Sequence, residues 1–215
     1  MKLSTYYENI KTSLYPKDRR MKILDEKNVV GFSTENIRFI MNEICRLFCK
    51  ELYVEVGSWK GCSLISSALY NKNAKFIGID NFCEFNSSIE IVQENINKFD
   101  IENTSIIEGH YNDIIPIILK EKTIDVYFYD GNHDYNNQLN GLNIIKPYLK
   151  EECVIFVDDA SWEDPAKANN DWLIENSDFK SIILTVDNYD VKKTVNNKFW
   201  WNGLQIIYRN VDIEY

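Results

Sequence analysis

The stretch EVGSWKGCS, from Glu55 to Ser63, lies between an apolar run, Leu52 to Val56, and a helix-like segment that begins near Cys62. It contains two glycines, a lysine and a serine, residue types that occur in turns holding a nucleotide between a strand and a helix. An ordinary strand-to-helix turn also needs glycines for its tight geometry, so the turn alone leaves both interpretations open.

Spacing separates the nucleotide-binding turns that this stretch could form. A phosphate-binding P-loop places a lysine directly after its second glycine, whereas Lys60 precedes Gly61 here. A dinucleotide turn of the form GxGxxG needs a middle glycine so that the backbone can approach the pyrophosphate, and Trp59 stands at that position. The sequence therefore disfavours both kinds of phosphate binding.

An acidic residue on the strand, Glu55, followed by a glycine turn suits a ligand without phosphates, because the carboxylate complements a cationic group. S-adenosylmethionine (SAM), with a sulfonium and an ammonium group, is such a ligand. The segment VEVGSWKGCS resembles the first motif of the class I methyltransferases, in a variant without the middle glycine. The resemblance implies that SAM is bound by Glu55, Gly57, Ser58, Trp59, Gly61 and Ser63.

Short β-branched and aromatic runs alternate with amphipathic segments along most of the chain, which predicts βαβ units and a mostly parallel sheet. Strands are predicted to begin at Leu52, Lys75, Thr104, Ile124, Cys153, Ser181 and Gly203. No helical pattern separates the last two, so that pair is expected to be antiparallel. Ahead of the first strand, STENIRFIMNEICRLFCK has a capping box at Ser33 or Thr34 and predicts one further packing helix.

We therefore expect an α/β fold with a Rossmann-like, doubly wound seven-stranded sheet, mostly parallel with an antiparallel last strand and helices on both faces. Residues 1–50 are expected to form an N-terminal segment and packing helix. Residues 51–215 are expected to form a single SAM-binding methyltransferase domain.

Acidic residues follow most of the predicted parallel strands, at the edge of the sheet where α/β proteins bind their ligands. Each one alone is also a common helix cap. By resemblance to the class I methyltransferases, Asp80 would bind the ribose hydroxyls, Asn81 would also contact the cofactor, and the segment EGHY after the third strand would line the adenine. That segment contributes Glu108, Gly109, His110 and Tyr111.

Asp130, Asp158 and Asp159 follow the fourth and fifth strands, so their carboxylates are expected to lie together. Three converging carboxylates repel one another and raise one another's pKa unless a divalent ion lies between them. Oxygen ligands favour a hard ion, Mg²⁺ first, with Mn²⁺ or Ca²⁺ as alternatives. The sequence therefore predicts a metal site at these three aspartates.

YDGNHDY, followed by VDDAS, resembles the metal-dependent sugar O-methyltransferases of macrolide biosynthesis, the macrocin and mycinamicin type, and also the cephalosporin-hydroxylase-like branch. This resemblance implies that Asp130, Asp158 and Asp159 hold the metal, that Asp130 also takes part in cofactor binding and catalysis, and that His133 is the base. The acidic pair here is Asp-Asp, whereas Glu-Asp is one form in that family. His133 as a helix-start residue bonded to backbone is the alternative interpretation.

The resulting prediction is a SAM-dependent, Mg²⁺-assisted O-methyltransferase acting on a hydroxyl of a small molecule or sugar. A non-catalytic binder of SAM or a nucleoside, and a hydroxylase-like enzyme of the same superfamily, are the alternatives, although the two histidines do not form a two-histidine ferrous site. Phe199, Trp200 and Trp201 are predicted to wall the acceptor pocket, or else to be core or a dimer contact. Tyr6, Tyr7 and Tyr15 are candidates for a lid.

Composition limits the partners. The formal net charge of -9 argues against binding nucleic acid, which needs a basic face. No run of about 18 uncharged apolar residues predicts a membrane span, and the first residues have no apolar signal-like region. Five cysteines without a CxxC pair indicate reduced thiols, so we expect a cytoplasmic protein, with a homo-oligomer left open.

Overall fold

A computed structural model describes residues 20–185 and 200–213 of the chain. The strands are β1 (Leu52–Val56), β2 (Lys75–Asp80), β3 (Thr104–Glu108), β4 (Ile124–Tyr129), β5 (Leu149–Val157), β6 (Lys180–Leu184) and β7 (Leu204–Arg209). They form one sheet in the order β3-β2-β1-β4-β5-β7-β6. The pairs from β3 to β5 are parallel, and β7 is antiparallel to both of its neighbours. The predicted fold class is confirmed.

Helices connect the parallel strands and cover both faces of the sheet. They are α1 (Lys22–Glu26), α2 (Glu35–Phe48), α3 (Cys62–Ala68), α4 (Ile89–Asn97), α5 (Tyr111–Ile118), α6 (Tyr135–Ile145) and α7 (Glu163–Glu175), with a 3₁₀ turn at Lys146–Tyr148. The described residues contain no helix long and apolar enough to span a membrane.

Two apolar cores lie on opposite faces of the sheet because side chains alternate along each strand. Tyr53 of β1 belongs to the core under α2, α3 and α4, whereas its neighbour Val54 belongs to the core under α5, α6 and α7. Both side chains are fully buried. Strands covered on both faces read as continuous apolar runs, and this explains why β1, β4 and β5 were visible in the sequence.

Helix α2 packs on the first core through Ile37, Ile40 and Ile44, all buried. Its cap is Thr34, whose side chain accepts a hydrogen bond from the Ile37 N–H at 3.3 Å, and this decides between the two predicted capping residues. Whether residues 1–50 and 51–215 are separate units stays a prediction.

The largest error in a predicted boundary lies at the end of α6. The pattern NQLNGLNIIKPYL predicted helix as far as Leu149, but α6 ends at Ile145 and β5 begins at Leu149, four residues before the expected Cys153. Pro147 lies in the intervening 3₁₀ turn and cannot donate the hydrogen bond that a longer helix needs. The tyrosines of the predicted lid, Tyr6, Tyr7 and Tyr15, and Phe199 lie outside the described residues.

Candidate functional site

A cavity of about 1040 Å³ opens at the carboxyl ends of the parallel strands. Its lining includes residues that follow each of the first five strands, as ligand sites of open α/β sheets do. Of the sequence-predicted site residues, the cavity lining contains Gly57, Ser58, Trp59, Ser63, Asp80, Asn81, Gly109, His110, Tyr111, Asp130, His133, Asp158 and Asp159. Glu55, Gly61 and Glu108 are not in the lining.

Backbone hydrogen bonds of the sheet continue past the strand ends into the cavity floor. The Gly57 N–H donates to Ile79 O at 2.9 Å, and the Asp130 N–H donates to Val56 O at 2.9 Å. The Asp158 N–H donates to Tyr129 O at 3.1 Å. The sheet itself therefore positions the residues from which the site is built.

Gly57 is required by its surroundings. Its φ is +86°, a conformation that L side chains rarely adopt, and a Cβ there would lie 1.8 Å from the carbonyl oxygen of Asp130. The turn after β1 and the turn after β4 therefore touch through their backbones. Gly61, with φ +80°, is the N-cap of α3, and its N–H closes the turn by donating to Ser58 O at 2.6 Å.

Glu55 is fully buried behind the turn. Its carboxyl accepts hydrogen bonds from the Tyr53 hydroxyl at 2.7 Å and from Ser63 Oγ at 2.9 Å. Burial raises the pKa of Glu55 to about 7, against the opposing effect of these donors. The predicted direct contact of Glu55 with a cofactor stays a prediction. In the structure, the Glu55 carboxyl holds the Ser63 side chain through a hydrogen bond, and Ser63 lines the cavity.

Asp80 holds the turn from the second strand. Its Oδ2 accepts the Trp59 N–H and its Oδ1 accepts the Phe82 N–H, both at 2.7 Å. Trp59 has φ +47°, so the carboxylate stabilises a strained backbone. Each oxygen retains a second lone pair, which a ribose hydroxyl can use.

Residues after β3 form another part of the wall. The Gly109 N–H donates to Asp80 O at 2.8 Å. His110 caps α5 by accepting the Asn112 N–H on Nδ1 at 3.3 Å, and its ring stacks on Tyr111 with centroids 4.8 Å apart. Asn81 accepts the Cys83 N–H on its side-chain oxygen at 3.2 Å. Glu108 is exposed and lies outside the cavity lining, and its adenine-binding role stays a prediction.

Four aromatic rings meet at one side of the cavity, and we call them the aromatic wall: Phe32, Trp59, Phe85 and Trp201. Phe32 stacks on Trp59 with centroids 4.3 Å apart, and on Trp201 at 6.1 Å. The Trp59 indole N–H donates to Phe85 O at 2.8 Å. Phe32 and Phe85 were missed by the sequence reasoning because they lie in loops, where no periodic pattern marks them.

Three aspartates and one histidine lie together in the cavity lining. His133 Nε2 is 3.4 Å from Asp130 Oδ1 and 3.6 Å from Asp159 Oδ2. Burial, and then the charges of Asp159 and Glu55, raise the pKa of Asp130 well above its usual range. Burial, and then the charges of Asp130 and Asp159, do the same for the pKa of Asp158. The expected convergence of the three carboxyls is present in the structure.

The adjacent pair Asp158 and Asp159 lines one cavity although consecutive strand residues point to opposite faces. Strand β5 ends at Val157, and Asp159, with φ +49°, then turns the chain. Asn202 Nδ2 donates to Asp159 Oδ1 at 2.8 Å. Burial raises the pKa of Asp159, and His133 and Asn202 oppose that rise. Asn202 was missed, since its segment NNKFWWNG drew attention only for its aromatics.

The carboxyls do not form a ready metal centre in this conformation. Within residues 20–185 and 200–213, no group of three or more His, Cys, Asp or Glu side chains is arranged to hold a metal ion. His133 Nε2 lies within 3.6 Å of two of the three carboxyls, in the space that a shared ion would need. The predicted metal ligands are thus neighbours, and their metal remains a prediction.

Residues 54–160 match the family model described as a methyltransferase domain. The chain contains a methyltransferase domain. The matched range begins within β1 and ends just after Asp158 and Asp159, so it includes the glycine turn and the predicted base.

The methyltransferase domain has the same fold as solved O-methyltransferases of low sequence identity. One is TomG from Streptomyces achromogenes, in complex with SAM, at a TM-score of 0.67 and 13% identity, covering 97% of this chain and 96% of that one. Another is the Bacillus cereus O-methyltransferase in complex with SAH, at a TM-score of 0.66 and 12% identity, covering 97% and 100%.

A curated relative is 33% identical over 143 residues, which is 62% of this chain. It is an uncharacterized protein of Acanthamoeba polyphaga mimivirus, and the match covers 63% of its length. The chain therefore spans less than two thirds of the curated relative that it matches.

Proposed function

We propose that this protein transfers the methyl group of SAM to a hydroxyl oxygen of a small molecule or sugar. The observation that carries the proposal is that one cavity, within a matched methyltransferase domain, is lined both by the glycine turn and by His133 beside its aspartates. A pure binding protein would have no need of the second group.

SAM is proposed to lie over the turn between β1 and α3. Gly57 and Ser58 give a close backbone approach, and Asp80 offers free lone pairs to the ribose hydroxyls. The acidic lining complements the positive sulfonium and ammonium groups. The relatives solved with SAM or SAH support the same class of ligand.

His133 is proposed to act as the general base. Its Nε2 takes the proton of the acceptor hydroxyl while that oxygen bonds to the methyl carbon and the carbon–sulfur bond breaks. The sulfonium thereby becomes a neutral thioether. Asp130 and Asp159, 3.4 and 3.6 Å from Nε2, stabilise the imidazolium that forms.

Metal assistance is a separate part of the proposal. Asp130, Asp158 and Asp159 supply oxygen ligands of the kind that Mg²⁺, Mn²⁺ and Ca²⁺ prefer. Burial is the main cause of their raised pKa values, and the charges of neighbouring carboxylates add to it at Asp130 and Asp158. Their present arrangement does not fit a shared ion, because His133 lies between two of them. The proposed proton transfer therefore passes through His133 alone.

The cavity lining favours an uncharged acceptor with a ring. The aromatic wall offers stacking surface and edges to a sugar or an aromatic ring. Among the described residues of the lining there is no lysine or arginine to pair with a phosphate, whereas several acids are present. An acceptor bearing phosphate groups would meet repulsion there.

The first test is calorimetric titration of the protein with SAM and with its demethylated product, followed by transfer of labelled methyl to a panel of sugars and catechols. We expect binding of both ligands, and about tenfold weaker binding to Asp80→Asn, which loses one acceptor oxygen. Asp100→Asn, an exposed carboxyl away from the cavity, is the matched control. Absence of binding to either ligand would contradict the proposal, and binding without any transfer would favour a non-catalytic binder.

A further inference from the structure

A chain of three buried amides runs from the interior of the domain to His133. Gln138 of α6, Asn169 of α7 and Gln205 of β7 are almost completely buried. Gln138 Nε2 donates to Asn169 Oδ1 at 3.0 Å, and Asn169 Nδ2 donates to Gln205 Oε1 at 2.8 Å. We call these three residues the amide chain.

Because Gln138 uses its side-chain nitrogen to bond Asn169, its side-chain oxygen is the atom that faces His133. Gln138 Oε1 lies 3.4 Å from His133 Nδ1. An amide oxygen accepts and cannot donate, so the His133 ring must carry a proton on Nδ1 for this contact to be favourable. The other ring nitrogen, Nε2, then has the lone pair, and it faces the cavity beside Asp130 and Asp159.

We propose that the amide chain is a positioning device that holds His133 in its Nδ1–H tautomer, with Nε2 free to accept a proton. The inference rests on the proposed base role of His133. A histidine without such a partner distributes between two tautomers and several ring orientations, and only one of them presents Nε2 as a base. Gln138, Asn169 and Gln205 do not line the cavity, so they act through the ring.

Burial gives the amide chain its effect. A buried amide that loses its partner is costly, so Asn169, with both its amide oxygen and its amide nitrogen bonded, holds Gln138 in one orientation. At the inner end of the amide chain, Gln205 Nε2 has no hydrogen-bond partner among the described residues. The three residues come from two helices and the antiparallel strand, and the chain therefore ties the base to the side of the sheet beyond β5. The His133 side chain, 15% exposed, has little room to turn.

The test is the ¹⁵N spectrum of histidine-labelled protein, recorded at a fixed pH where the ring is neutral. The chain has two histidines, so comparison with His110→Asn assigns the signals. We expect the Nδ1–H tautomer for His133 in the unmodified protein and a mixture in Gln138→Met, which removes the acceptor oxygen at similar size. Gln138→Glu, which retains an acceptor oxygen, should restore the Nδ1–H form. Gln93→Met, an exposed glutamine on α4, is the control and should change nothing.

In parallel, methyl transfer by Gln138→Met should fall by about 10- to 100-fold in kcat with little change in KM for SAM, and Gln138→Glu should recover most of it. An Nε2–H tautomer in the unmodified protein would overturn the inference, even if Gln138→Met does not fold. An unchanged tautomer in a folded Gln138→Met would do the same. If the tautomer of His133 shifts in Gln138→Met while kcat stays constant, the amide chain does position the ring, but His133 is not the base.

Discussion

Burial and hydrogen bonding have opposite effects on the pKa of Glu55. Burial raises this pKa, and the hydrogen bonds from Tyr53 and Ser63 lower it. The pKa of Glu55 rises from its ordinary value of 4.5 to about 7. Between these values the folded chain binds more protons than the unfolded chain, so the stability linked to this group is complete below pH 4.5 and is lost as the pH rises to about 7.

Glu55→Gln removes that dependence because the amide does not ionise. We expect the unfolding free energy of the variant, relative to the unmodified protein, to increase by roughly 3 kcal/mol between acid and weakly alkaline pH. Urea unfolding at several pH values measures this difference. Glu94→Gln, on the exposed side of α4, should run parallel to the unmodified protein. If the unfolding free energy of Glu55→Gln also ran parallel to that of the unmodified protein over this pH range, the pKa of Glu55 would not be raised.

His133→Ala removes the proposed base while leaving the glycine turn intact. We expect kcat to fall by about 10²- to 10⁴-fold, the usual contribution of a general base. The affinity for SAM, measured by calorimetry, should change less than about threefold, because the hydrogen bonds from Trp59 to Asp80 and from Ser63 to Glu55 that hold the glycine turn do not involve His133. Unchanged turnover would exclude His133 from proton transfer.

Some residues of the site can be predicted from the sequence, and others cannot. Asp80, Asp130 and Asp158 were predictable because parallel strands bring their carboxyl ends to one edge. Gln138 was not, since a glutamine on a helix is usually exposed and nothing in the linear pattern places it against Asn169 and His133. That contact depends on how two helices pack on the sheet.

At the level of elements, the N-terminus of helix α6 lies at the cavity, and Asp134 and Asn137 are both in the lining. Asp134 is its N-cap and accepts the Asn137 N–H at 2.9 Å and the Asn137 side-chain amide at 2.7 Å. Asp134→Ala should lower the unfolding free energy by about 1 kcal/mol, whereas Asp134→Asn, an equally good cap, should cost little. Urea unfolding of the two variants checks the cap, and equal losses would argue against it.

Strands were easier to locate than helix ends. Buried strands such as β1 and β4 are short apolar runs that the sequence shows directly, and their predicted limits agree with the structure. The end of α6 was misplaced because the apolar pattern continues through Pro147 into β5, and only the register with β4 decides where the strand starts. Loops show no periodic pattern in the sequence. Of the aromatic wall, only Trp59 and Trp201 were therefore named from the sequence, and Phe32 and Phe85 were not.

For the molecule as a whole, a divalent ion would join the ends of β4 and β5. If Mg²⁺ binds at Asp130, Asp158 and Asp159, saturating Mg²⁺ should raise the melting temperature by about 5 °C or more. Asp158→Asn should abolish that rise, and Asp100→Asn should retain it. Thermal unfolding with Mg²⁺ and with a chelator measures the effect. The same rise in all three proteins, or none in the unmodified protein, would contradict a metal at these carboxyls.

The hydrogen bonds that carry the sheet into the cavity floor have a consequence for exchange with solvent. The amide hydrogens of Gly57, Asp130 and Asp158 are bonded to neighbouring strands, so each should exchange with deuterium only when those strands separate. Their protection should match that of central strand amides such as Val54. Ligand binding raises the unfolding free energy, so it should slow exchange at these three amides and at Val54 by the same factor. The proposed methyl transfer would then take place above hydrogen bonds that open only when the domain unfolds. Any adjustment to the acceptor would be confined to the surrounding loops.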